Sequence, residues 1–162
     1  MSYFVFVVKI MDKKFTISLQ SRYAELWRYN IVVTCGCFDE TGGRTNFLSK
    51  ENFIAAVGSN LDAAPASIES HNRLTLTTSP CANIVAYIYL IPHSLPPTRD
   101  VEEYAPFDLR VKVSADDSVI YDTNHKINQW SGCSIELKLP QAKYLRAGVF
   151  LSCVAYFLLF TG

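Results

Sequence analysis

Phe107-Asp108-Leu109-Arg110-Val111-Lys112-Val113 decides the fold class. Apolar and charged residues alternate strictly through it. A strand points successive side chains to opposite faces, so Phe107, Leu109, Val111 and Val113 face a core and Asp108, Arg110 and Lys112 face solvent. A helix would scatter the same residues around its circumference. Asp116-Asp117 follows as a turn, and Val119-Ile120-Tyr121 opens a return strand that leaves through a polar segment, Asp122 to Gln129.

Working outward, the same period recurs. Phe15 to Leu19, Arg73 to Thr78 and Ser134 to Leu139 alternate, and Pro140 stops the last of them. Trp27 to Phe38 and Cys81 to Ile91 are mostly apolar and β-branched or aromatic, the composition of central strands. Tyr3 to Met11 pairs with the Phe15 strand as an opening hairpin. Ala147 to Phe160 is uncharged; at 14 residues it is shorter than the ~20 a spanning helix needs, so it reads as a buried strand. Ser21 to Tyr29 fits either a short helix capped by Ser21 or the approach to a strand.

One segment reads as helix. Ser49 is placed as N-cap, Glu51 lies in the first turn, and Gly58 follows the end. A helix over 49–57 would turn Phe53, Ile54 and Val57 toward the core. The expectation is therefore an all-β, antiparallel two-sheet β-sandwich of about eight strands, with one short covering helix near 49–57. It forms a single domain over 1–162. Pro92 to Pro106 is the one long irregular connection.

Composition narrows function more by exclusion than by motif. The chain has 15 basic and 15 acidic residues, 49% hydrophobic residues and 19% charged ones. A general nucleic-acid binder carries a basic excess, because phosphate contacts supply most of its affinity. No nucleic-acid partner is expected, and no membrane span. No phosphate-binding glycine loop and no nucleophile motif occurs, and His71, His93 and His125 sit in loops or at strand ends. No catalytic residue, metal ligand or cofactor is assigned. The five cysteines, Cys35, Cys37, Cys81, Cys133 and Cys153, lie in or beside apolar runs and read as buried thiols. Their odd number and the lack of a signal-peptide pattern favour the cytoplasm for the chain as given.

High apolar content, low charge and zero net charge point to a non-enzymatic protein-binding or assembly module, self-associating or part of a larger complex. The alternative is a carbohydrate-binding or adhesion-type sandwich using Trp130 with Tyr121, Asn128 and Gln129, an aromatic ring beside amides. An acidic loop with Asp100, Glu102 and Glu103 is a further docking element for a basic partner. An enzyme with an unrecognised site is the third reading.

Overall fold

A computed structural model describes residues 12–66, 72–96 and 105–140. The opening strand 3–11, the terminal strand 147–160, His71, Cys153 and the acidic residues Asp100, Glu102 and Glu103 lie outside them.

The described chain forms eight strands: β1 (Phe15–Ser21), β2 (Tyr29–Phe38), β3 (Arg44–Asn52), β4 (Arg73–Thr77), β5 (Asn83–Pro92), β6 (Phe107–Ala115), β7 (Ser118–Ile127) and β8 (Cys133–Leu139). They make two four-stranded antiparallel sheets, ordered β4-β1-β6-β7 and β3-β2-β5-β8. The inward stripes meet in one core. Ile17 and Leu19 of β1 and Leu109, Val111 and Val113 of β6 come from one sheet. Ile31 and Val33 of β2 and Ile84, Ile88 and Leu90 of β5 come from the other. The sandwich expected from alternation is present.

The expected helix at 49–57 is absent. Ser49 to Asn52 instead prolong β3, opposite Thr34 to Ile31 of β2. The helix signals are local and weak, whereas the edge of β2 offers a row of backbone donors and acceptors. Beyond Asn52, the buried Asn30 side chain takes over the backbone. Its Oδ1 accepts from the Ile54 and Ala55 amides (2.8 and 3.3 Å), and its Nδ2 donates to the Ala55 carbonyl (2.7 Å). Phe53 and Val57, expected in the core, are 64% and 70% exposed.

Two other readings change. Asp122 to Ile127 is not a strand exit but the second half of β7, paired residue by residue with β6. Its pattern is hard to see because β7 is an edge strand whose inward positions Tyr121, Thr123 and His125 are not aliphatic, with Ile127 the buried exception at its end. The ambiguous Ser21–Tyr29 resolves into a short 3-10 turn, Leu26–Arg28, leading into β2. Ser21 caps nothing there. Its hydroxyl donates to the Asp108 carbonyl at 2.7 Å and accepts from the Tyr23 amide at 3.2 Å.

Cys35, Cys37 and Cys81 are buried and Cys133 partly so, with no disulfide among them. Burial, and then the neighbouring Cys37 and Cys81, push the Cys35 thiol up to about 12. Burial first also raises Cys81, to about 11. These are core side chains rather than reactive thiols.

His125 adds a pH dependence. Its Nε2 lies 2.9 Å from the Tyr121 hydroxyl, and burial holds its pKa below the ordinary 6.5. The folded chain then binds fewer protons at this site than the unfolded one. The contribution to stability is complete above 6.5 and is lost as pH falls through the depressed folded-state value. Thermal melts from about pH 7 down to about pH 5 should fall less steeply for His125→Gln than for the wild type. Parallel curves would refute this assignment.

Candidate functional site

The outward positions of the β3-β2-β5-β8 sheet follow from its register. Across the sheet, Phe47, Gly36, Val85 and Lys138 form one row, and Ser49, Thr34, Tyr87 and Glu136 the next. Val32, Tyr89 and Ser134 continue it, with Ile91 at the end of β5. A sheet with one solvated face places polar residues there. Here the two central strands instead carry Val32, Phe38, Val85, Tyr87, Tyr89 and Ile91 outward. Phe47 is 57% exposed, Ile91 37% and Tyr87 36%.

Gly36 flattens this surface. It has no side chain to raise, and the Phe38 ring lies over it; a Cβ at Gly36 would stand 3.0 Å from Phe38 Cε2. Tyr87 and Tyr89 project from the same side of β5 with ring planes within 11° and centroids 6.4 Å apart. From strand geometry the apolar strip measures about 10 Å across β3 to β5 and about 20 Å along Val85 to Ile91. Its rim is polar and carries both charge signs. The Tyr87 hydroxyl donates to Glu136 Oε1 at 3.1 Å, and Lys138 pairs with the same oxygen at 3.0 Å. That hydrogen-bonded lysine, followed by the tyrosine hydroxyl, holds the Glu136 carboxyl below its ordinary value.

No family model and no curated protein matches this sequence. Among solved structures, a domain of unknown function from Bacteroides vulgatus, DUF4425, is similar at a TM-score of 0.46 and 11% identity, covering 80% of this chain and 97% of that one. A likeness of that size carries no function to this chain. Among the described residues no helix is long and apolar enough to cross a membrane.

The residues singled out from sequence do not gather into one platform. Asn128, Gln129 and Trp130 share the β7–β8 turn, while Tyr121 lies near the other end of β7, roughly 20 Å away along the strand. Asn128 Oδ1 accepts from the Trp130 and Ser131 amides at 2.9 and 3.1 Å, which shapes the turn. Gln129 is buried. Its Oε1 accepts from the Tyr23 hydroxyl at 2.9 Å, and its Nε2 donates to the Ala105 carbonyl at 2.8 Å. Trp130 is partly buried. The histidine His93 is likewise internal, with Nδ1 2.7 Å from Ser94 Oγ and Nε2 2.8 Å from the Trp27 carbonyl.

No motif in the sequence marks Phe47, Phe38, Tyr87 and Tyr89 as a site. A signal was present. The runs of β2 and β5 are apolar at both parities, the pattern of strands covered on both faces. Only one of those faces is covered within the described chain.

Proposed function

We propose that this domain is a non-catalytic binding module that associates with a second copy of itself through the outer face of the β3-β2-β5-β8 sheet. The observation that carries this reading is the flat aromatic strip of Phe38, Phe47, Tyr87 and Tyr89 inside a polar rim. Protein interfaces have that anatomy, an apolar and aromatic centre ringed by polar groups. A large exposed apolar patch on a soluble domain asks for a partner. A second copy suits it because the strip is flat and its rim bears both Glu136 and Lys138, so a twofold axis can set each rim against its opposite charge. The chain's zero net charge adds no long-range repulsion between copies.

Size-exclusion chromatography with light scattering tests it. The wild-type chain should be dimeric at about 100 µM, and Tyr87→Glu should weaken the dimer by about tenfold or more with an unchanged circular-dichroism spectrum. Phe47→Ser should do the same. A wild-type chain that stays monomeric at that concentration, or a dimer indifferent to both substitutions, would overturn the proposal.

A further inference from the structure

The opposite outer face, on β4-β1-β6-β7, is built differently. Its register sets Arg73, Gln20, Arg110 and Asn124 in one row across the four strands. Thr75, Ser18, Lys112 and Asp122 form the next. Arg73 and Arg110 therefore stand about 10 Å apart across Gln20, with Lys112 about 7 Å further along β6. These three cations, with Ser18, Gln20 and Thr75, line a shallow hollow of about 290 Å³. No carboxylate lines it. It adjoins a larger hollow of about 400 Å³ that shares Gln20 and Arg110 and includes Tyr23, stacked on Phe107 with centroids 4.2 Å apart.

Two of the three cations, Arg73 and Lys112, have no counter-charge at ion-pair distance among the described residues. Arg110 is clamped from the β7 side, with Nε 2.7 Å from Asp122 Oδ1 and Nη2 2.6 Å from Oδ2. That fork fixes the guanidinium while leaving Nη1 to a ligand. Asp122 offsets the charge of Arg110, so the positive potential of the hollow comes mainly from Arg73 and Lys112, on a chain whose total charge is zero.

We propose that this hollow binds an acidic saccharide, a sugar chain bearing sulfate or carboxylate groups. Arg73, Arg110 and Lys112 meet its charge, and Ser18, Gln20 and Thr75 exchange hydrogen bonds with its hydroxyls. Two observations favour a sugar over a nucleic acid. The cations cover only about 12 Å, enough for one or two anionic groups and not for a phosphate chain. The side chains between them are hydroxyls and an amide, two of which already lie within reach of each other, Ser18 Oγ and Thr75 Oγ1 at 3.4 Å.

Isothermal titration of the full chain tests this with four probes at low salt. They are a sulfated heparin-type hexasaccharide, a galacturonic-acid oligomer, a neutral oligosaccharide of equal length and a single-stranded oligonucleotide of matched charge. At least one acidic saccharide should bind, weakening as salt rises. The neutral sugar should not bind, and the oligonucleotide should bind at least about tenfold more weakly. Arg73→Ala with Lys112→Ala should weaken the acidic saccharide by about tenfold or more. Lys13→Ala with Lys14→Ala, a basic pair elsewhere on the surface, should leave it unchanged. No binding by either acidic saccharide would overturn the proposal. So would oligonucleotide binding of equal strength, or equal losses from the two double variants.

Discussion

Replacing Gly132 by alanine is expected to destabilise the domain by about 3 kcal/mol or more, lowering the thermal midpoint by roughly 6–12 °C. Gly132 has a φ of +65°, in the left-handed region that L side chains resist. The steric cost is larger still. A Cβ there would fall inside the contact radius of the Leu90 carbonyl oxygen, 3.0 Å from the Leu90 carbonyl carbon and 3.1 Å from Pro92 Cδ. These are backbone and ring atoms at the end of β5, which cannot swing aside as a flexible side chain can. The Gly132 amide also donates to the Asn128 carbonyl at 2.9 Å, closing the turn that carries the chain from one sheet to the other. Moving Gly132 therefore disturbs the turn and β5 together. Urea and thermal unfolding measure the loss, and a variant within about 1 kcal/mol of wild type would contradict it.

Gln129→Ala should cost about 1–2 kcal/mol, because it removes a buried amide together with its hydrogen bonds to two partners that are only partly shielded from water. The Ala105 carbonyl loses its 2.8 Å donor. The Tyr23 hydroxyl loses the nearer of two acceptors and keeps Glu25 at 3.2 Å. The Gln129 backbone oxygen additionally accepts from the buried Tyr29 hydroxyl, so a shifted turn loosens that bond too. Gln129→Leu keeps the volume and should lose nearly as much, which separates lost hydrogen bonds from lost packing. Denaturant midpoints for the two variants decide it. If Gln129→Ala left stability unchanged, the residue would be a free surface amide and not an internal strut. The dimer proposed on the outer face of the β3-β2-β5-β8 sheet should survive in the folded fraction, since the β7–β8 turn meets that sheet at the Pro92 end of β5, away from Phe47.

Gln129 also marks a limit of reading a site from sequence. An amide beside a tryptophan has the composition of a sugar platform and equally of a turn brace. The residue types are the same, and burial separates them. Tyr87 and Tyr89 show the converse. In sequence they belong to an apolar run that reads as central strand, and β5 is indeed interior to its sheet. Interior to a sheet, however, does not mean covered on both faces. The basic hollow was less legible again. Arg73, Arg110 and Lys112 are each an ordinary outward residue of an alternating strand, and antiparallel pairing across β1 brings residues 37 positions apart into one row.

Alternation of apolar and polar residues is enough to place the strands that show it and to say which parity of each faces the core. Phe107 to Val113, Phe15 to Leu19 and Ser134 to Leu139 carry that information locally, because the side-chain period of a strand is a property of the backbone alone. The helix-like segment at 49–57, the length of β7 and the exposure of the β5 aromatics depend instead on the assembled fold. In the first two cases the deciding partner is a neighbouring strand or side chain 10 to 25 positions away in the chain. The edge of β2 claims Ser49 to Asn52, Asn30 claims Ile54 and Ala55, and β6 claims Asp122 to Ile127. Local propensities of a few tenths of a kcal/mol per residue yield to a row of backbone hydrogen bonds. Those bonds depend on which strand lies alongside, which no local pattern encodes.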